Sequence, residues 1–139
     1  MTNEFAIAIH ALVFLDLKTE KVASESLAEH MHTNPVCIRK VMGKLKKAGF
    51  VETREGLNGG YSLAADPNKL SLNDIGEALK VDVVKASWHS GNTDKKCHVG
   101  CGMVEVLDQV VVDLNEVCRN YLATLTIKDI EKQILQHQG

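Results

Sequence analysis

The sequence has no hydrophobic run long enough to cross a membrane and no basic segment of the signal-peptide type at its start. Its most apolar stretch, from Phe5 to Leu17, is interrupted by His10 and Asp16, whereas a membrane-spanning helix needs about 20 predominantly apolar residues. No lysine or arginine precedes that stretch. We therefore expect a cytoplasmic protein without a membrane partner.

The chain also lacks internal repeats, low-complexity tracts and long linkers rich in glycine, proline or serine. Its 139 residues are 45% hydrophobic and 24% charged, which is typical of a folded chain with a sizeable core. The formal net charge is only −2, so the whole protein is not strongly attracted to polyanions. Any contact with nucleic acid must therefore come from a locally basic surface.

A catalytic constellation is missing as well. No Ser/His/Asp or Cys/His arrangement stands at a recognisable motif, and no phosphate-binding glycine loop occurs outside one candidate hairpin. The sequence predicts no catalytic residues and no enzyme. A thiol-dependent enzyme is the alternative from another functional class.

Positive charge is concentrated in one segment. From Arg39 to Lys47 there are five basic residues and no acids. Asn34 is a typical N-cap and Pro35 a typical first helical residue, so a helix is predicted from there to about Ala48. A shorter helix before it, from residue 25 to residue 31 with Ser24 as its cap, would complete a helix-turn-helix.

One side of the basic helix is predicted to face the core and the other to face DNA. The core side repeats at intervals of three and four residues, at Ile38, Val41, Met42 and Leu45. The first residues of a recognition helix meet base edges and the later basic residues meet phosphates. The candidates are Thr33, Asn34, Val36, Arg39 and Lys40 for bases, and Lys44 and Lys47 for phosphates, and Pro35 is also counted among the DNA-binding residues. A lysine-rich face that contacts only solvent is the alternative.

A hairpin is predicted directly after this helix. Two runs of β-forming residues, 50–54 and 61–63, flank a tip at Asn58-Gly59-Gly60 that tolerates positive φ. A plain surface hairpin would need the same turn residues, so the informative feature is its position after a basic helix, as in a winged helix-turn-helix. The predicted DNA-contacting residues of the wing are Arg54, Asn58, Gly59 and Tyr61.

A long helix is predicted in the second half of the chain, beginning near Gly102. Apolar residues recur there at alternating intervals of four and three, at Met103, Leu107, Val110, Leu114, Val117 and Tyr121. So broad an apolar face favours homodimerisation. Two recognition helices that bind the halves of a pseudo-palindromic DNA site also need to be related by a two-fold axis. Packing within one subunit is the alternative.

These elements predict a mainly α fold with a small β-hairpin wing. Residues 1–80 would form a winged helix-turn-helix DNA-binding domain, with a helix starting at the capping box Ser71 to Asp74. Residues 81–102 would form a sensor loop. Residues 103–139 would hold the dimerisation helix and a C-terminal helix capped by Thr126 and Asp129.

The order of these elements resembles the Rrf2 family of bacterial transcription regulators. The resemblance covers nearly the whole chain and is carried by the wing motif Gly-x-x-Gly-Gly-Tyr-x-Leu from Gly56 to Leu63 and by Ser-Leu-x-Asp-Ile from Ser71. It implies a homodimeric repressor or dual regulator with the long helix at the dimer interface. Family members usually carry arginine directly before the first wing glycine, where this chain has Glu55 and places Arg54 one position earlier.

The cysteine pattern also departs from that family. The resemblance implies three loop cysteines in members that bind an iron-sulfur cluster, whereas this loop has only Cys97 and Cys101. With His89 or His98 the tally reaches three of the four ligands that a two-iron cluster takes, and Asp94 or a partner subunit would have to supply the fourth. We therefore expect no cofactor, with a cluster or zinc at these residues as the alternative.

The remaining hypothesis for the cysteines is thiol sensing. Two lysines precede Cys97 and a helix N-terminus follows Cys101, and both features stabilise a thiolate. Cys37, in the recognition helix, is a candidate resolving partner, and Cys118 is expected to be a small buried hydrophobe. The sequence thus predicts a repressor that responds to oxidative or electrophile stress through Cys97, Cys101 and Cys37.

Overall fold

The computed structural model describes residues 2–18, 20–57, 59–85 and 98–138, with only the backbone described for residues 98–101. Its elements follow the chain in this order: α1 Asn3–Leu17, α2 Ser24–His30, α3 Pro35–Lys47, β1 Val51–Arg54, β2 Gly60–Leu63, α4 Leu72–Leu79, α5 His98–Leu122 and α6 Ile127–Gln138. The mainly α fold with one small hairpin is confirmed. Among the helices of this described part, none is both long and apolar enough to span a membrane.

Helix α1 is the centre of the core. It contains seven buried residues, including the fully buried Phe5 and Leu12, and it packs against α3, α4, α6 and β2. A helix that is apolar on most faces needs neighbours on most sides, as the sequence predicted for Phe5 to Leu17. The helix begins two residues earlier than expected, at Asn3, because the Thr2 hydroxyl accepts a hydrogen bond from the Phe5 amide at 3.3 Å.

The helix-turn-helix is formed by α2 and α3. The predicted start of α3 is confirmed, because the Asn34 side chain accepts a hydrogen bond from the Val36 amide at 2.8 Å and Pro35 occupies the first turn. The predicted cap of α2 is wrong. Ser24 is already helical, Ala23 occupies the cap position without a side-chain hydrogen bond, and the Ser24 hydroxyl donates instead to Glu25 at 3.2 Å.

Helix α6 returns to the N-terminal half of the molecule. Ile127 is fully buried, α6 packs against α1, and an isolated bridge pairs Ser71 with Thr126. Both predicted capping boxes are present, with the Asp74 carboxylate accepting from the Ser71 amide and the Asp129 carboxylate from the Thr126 amide, each at 3.0 Å. The division into three parts stays a prediction, but this packing joins the C-terminal helix to the core of the first part.

Helix α5 begins at His98, four residues before the predicted start near Gly102. The backbone of residue 101 therefore belongs to the first turn of α5 and not to a loop. The segment that leaves α4 is tied to this helix by Asn115, whose side chain accepts from the Val84 amide at 2.9 Å and donates to the Val84 carbonyl at 3.0 Å. The buried side-chain amide of Asn115 thus makes the two backbone hydrogen bonds with Val84 that a neighbouring strand would otherwise make.

Candidate nucleic-acid interface

The two sides of α3 differ as the sequence predicted. Ile38, Val41, Met42 and Leu45 have no exposed surface. On the opposite side Val36 is 61% exposed, and Lys40, Gly43 and Lys47 are exposed as well. Because the Asn34 cap and Pro35 fix the first turn, the exposed side chains project from a rigid helix end.

The basic side chains of α3 meet acids from other helices. The Lys40 and Lys44 ammonium groups lie 3.1 and 3.0 Å from the two carboxylate oxygens of Glu4 in α1, and the Arg39 guanidinium lies 3.7 Å from Glu25 in α2. Hydrogen bonds from Lys44 and then Lys40 hold the pKa of Glu4 below its ordinary value. The charge of α3 is therefore partly neutralised within the molecule.

These ion pairs bear on the predicted phosphate contacts. Lys44 is only half-exposed and points toward α1, so its contact with a phosphate would compete with Glu4. An exposed ion pair is worth at most about 1 kcal/mol, and a phosphate can therefore displace Glu25 from the more exposed Arg39. Glu4 and Glu25 were missed by sequence reasoning because both lie on other helices, and no local pattern signals their contact.

The wing is an antiparallel hairpin in the register Val51 to Leu63 through Arg54 to Gly60. Its glycines serve different purposes. Gly56 and Gly60 have φ of +108° and +155°, whereas Gly59 leaves room for the Arg54 carbonyl oxygen, which an added Cβ would overlap. Positive φ was predicted for the tip 58–60. Asn58 lies outside the described residues, and of the two described glycines of the tip only Gly60 has a positive φ.

A contact with the segment before α2 fixes the base of the wing. The Val22 and Tyr61 backbones exchange hydrogen bonds at 3.0 and 2.8 Å. An added Cβ on Gly60 would lie 2.7 Å from the Val22 carbonyl, so the close approach requires glycine. The wing is thus held against the start of the helix-turn-helix.

Tyr61 and Arg54 occupy different environments. Tyr61 is half-buried against the core, and burial raises the pKa of its hydroxyl while the nearby Arg39 opposes that rise. Arg54 is exposed at the end of β1 and lines a groove with Lys21 and Lys46, between the wing and the end of α3. Neither lysine was among the predicted site residues. Lys21 lies at this groove because the next residue, Val22, pairs with Tyr61 of β2.

The predicted sensing and metal residues are only partly described. Cys37 is an exposed free thiol on α3, and Cys118 is half-buried on α5. His89, Asp94 and Cys97 lie outside the described residues, as do the side chains of His98 and Cys101. In the described ranges, no three His, Cys, Asp or Glu side chains are grouped closely enough to hold a metal ion.

A helix-turn-helix whose second helix exposes a cationic face, followed by a hairpin docked at its start, defines the winged helix-turn-helix class of DNA-binding proteins. Residues 1–133 match the model of the Rrf2 family, described as an iron-dependent transcriptional regulator. The chain therefore belongs to the Rrf2 family, as the wing motif indicated. It is a DNA-binding transcriptional regulator of that family.

Individual relatives agree with this assignment. The chain is 32% identical over 130 residues to YwnA of Bacillus subtilis, named as an HTH-type transcriptional regulator, with 94% of this chain and 96% of YwnA covered. A transcriptional regulator from Lactobacillus plantarum superposes with a TM-score of 0.81 at 26% identity, covering 99% and 97% of the two chains. CymR of B. subtilis shares the fold, with a TM-score of 0.69 at 15% identity and 96% of each chain covered.

Proposed function

We propose that this protein is a homodimeric, sequence-specific repressor that binds pseudo-palindromic operators in the cytoplasm and has no enzymatic activity. The observation that carries the proposal is the exposed side of α3, where Val36, Lys40 and Lys47 face solvent while the opposite side is completely buried. Such a helix fits the major groove, where Arg39 and Lys40 would meet base edges and Lys47 a phosphate. A dimer seated on an operator would exclude polymerase from an overlapping promoter.

The apolar face of α5 supports the dimer. Five of its six stripe residues are 44 to 64% exposed in the single chain: Met103, Val110, Leu114, Val117 and Tyr121. Contiguous exposed apolar surface of this kind marks an interaction site. A second copy of α5 related by a two-fold axis would cover it and would place two α3 helices on two half-sites.

The DNA-binding proposal is tested on an operator that the wild-type protein itself enriches from random duplexes. Fluorescence anisotropy should show that Arg39→Ala and Lys40→Ala each lower specific affinity about tenfold, because each removes a base contact. Lys47→Ala should mainly reduce the slope of affinity against salt, by about 1, because one phosphate is then no longer neutralised by the protein.

Lys132→Ala, which removes an exposed lysine from α6, is the matched control and should behave as wild type. Wild-type specificity in both the Arg39 and the Lys40 variants would contradict the placement of α3 in the groove. Failure of the wild-type protein to enrich any duplex would contradict sequence-specific binding itself.

The thiol hypothesis is favoured by the position of Cys37. Its exposed thiol lies on α3 next to Val36, so an adduct there would alter the surface that faces DNA. Peroxide would convert the thiolate of Cys97 or Cys101, the predicted sensing thiols, to a sulfenic acid and itself be reduced to water. Cys37 is a predicted resolving partner, whose thiol would then form a disulfide with that sulfenic acid and release a second water. The alternative is an iron- or zinc-dependent regulator, which the family description favours for iron.

Anaerobic purification followed by metal analysis and an absorbance spectrum separates these candidates. A thiol regulator should be colourless and metal-free, and a maleimide should change its operator affinity while leaving a Cys37→Ser variant unaffected. Stoichiometric iron with visible absorbance would favour the iron-dependent regulator, and stoichiometric zinc would favour the zinc site. If neither maleimide nor peroxide alters the mass or the DNA binding of a metal-free protein, thiol sensing is excluded.

A further inference from the structure

Gly43 is a glycine that the fold does not require. It is the ninth of the thirteen residues of α3, and glycine is the least favourable helix-interior residue apart from proline. Its φ is not positive. Among the described residues, a Cβ built on it would meet no atom within 4 Å, so neither backbone conformation nor packing against that part of the chain explains the missing side chain.

The other described helical glycines show the difference. Gly76, in α4, lies against the Phe5 ring, and an added Cβ would be 3.4 Å from it. Gly102, near the start of α5, resembles Gly43 because its added Cβ would also meet no described atom within 4 Å. Gly102, however, is not part of the exposed basic side of α3.

Gly43 lies in the middle of that exposed side. Lys40 precedes it by three residues and Lys47 follows by four, so the three positions share one face of the helix, and Val36 lies two turns earlier on the same face. All four positions are exposed. Bare backbone is therefore flanked along the helix by two lysines, and the occupant with complementary charge is a polyanion.

We propose that duplex DNA approaches α3 most closely at Gly43. The missing side chain lets the helix sit deeper in the major groove, so that Arg39 and Lys40 reach base edges while Lys47 contacts a phosphate beside the close approach. This inference rests on the proposed operator binding and adds the residue that sets the depth of the recognition helix. The helical stability that glycine loses in the free protein is offset by contacts formed only with DNA.

The test compares the stability and DNA binding of full-length Gly43→Ala and Gly43→Leu with wild type. Both variants should melt about 2–4 °C higher, because alanine and leucine are better helix formers and open space surrounds the position. Both should bind the enriched operator more weakly, with a loss of about tenfold or more for the leucine variant, since a helix held away from the groove cannot reach the base edges.

Gly102→Ala is the matched control. It should raise the melting temperature in the same way and leave operator affinity unchanged. Wild-type affinity in both Gly43 variants would overturn the inference while leaving the proposed function intact. A fall in melting temperature would also overturn it, because the fold itself would then need the glycine. Failure of the wild-type protein to enrich an operator would instead count against the proposed function.

Discussion

At the scale of single residues, Glu131 is an ionisable side chain that is almost completely buried. The side chain is 3% exposed, and its Oε1 atom has no hydrogen-bond partner among the described residues. Its other oxygen lies 3.1 Å from the Lys128 ammonium, which also lies 3.3 Å from Asp16 of α1. Burial raises the pKa of Glu131, and Asp16 raises it further while Lys128 opposes both effects.

A Glu131→Gln substitution should make stability less sensitive to pH. The raised pKa means that the folded protein binds more protons than the unfolded chain between the ordinary value of 4.5 and the folded value. The favourable contribution of Glu131 is therefore complete below pH 4.5 and is lost as pH rises through the folded pKa. Urea unfolding at several pH values should show the variant gaining stability relative to wild type from about pH 4 to 7.

Gln133→Asn, at an exposed position of α6, serves as a control and should differ from wild type by the same amount at every pH, because neither amide side chain titrates. A pH-independent difference for Glu131→Gln would contradict the raised pKa. The substitution keeps the shape of the side chain, so a general packing defect is not expected.

At the scale of elements, local signals placed most helix starts correctly. Asn34-Pro35, Ser71 with Asp74, and Thr126 with Asp129 are all formed as predicted, because capping depends on residues only two or three positions apart. Ser24 has the right residue type but was wrong as a cap, since the chain becomes helical one residue earlier. Apolar periodicity did not predict that α5 begins as early as His98, because the stripe itself starts only at Met103.

The wing, too, was only partly predicted from local signals. Its two strands were predicted from β-forming residues, but its attachment was not. Tyr61 pairs with Val22, which is 39 positions away in the chain and carried no strand signal. Likewise, the side chain of Asn115 became a partner for Val84 only when α5 packed beside the end of α4.

At the scale of the whole molecule, charge and apolar surface are distributed unevenly. The net charge is −2, yet lysines crowd α3 and its groove with the wing. Glu4 and Glu25 reduce that local charge, which would discourage binding to polyanions of any sequence. On α5, by contrast, most of the apolar stripe is exposed to solvent in the single chain.

Introducing a charge into the stripe should separate the proposed dimer. Leu114 is 45% exposed, so Leu114→Glu should fold normally while placing a carboxylate between the two α5 helices, where burial of an unpaired charge is costly. Light scattering coupled to size-exclusion chromatography should give a dimer mass for wild type and a monomer mass for the variant. The monomeric variant should also bind an operator with two half-sites more weakly than wild type does.

Asn120→Glu adds the same charge at an exposed polar position of α5 and should remain dimeric. A monomeric wild-type protein at micromolar concentration, or a Leu114→Glu variant that remains dimeric, would contradict dimerisation through this stripe.

The sequence by itself determined the helix-turn-helix, the hairpin and the core side of α3, because periodicity, caps and turn glycines act over a few residues. Its wing motif also indicated the resemblance to the Rrf2 family, which the match over residues 1–133 confirmed. Only the tertiary structure decided which lysines of α3 are paired, where the wing is attached and that a Cβ added at Gly43 would meet no atom of the described residues within 4 Å. Those properties depend on atoms brought together from distant positions. Glu4 neutralises Lys44 across forty residues of sequence, a distance over which no local pattern carries information.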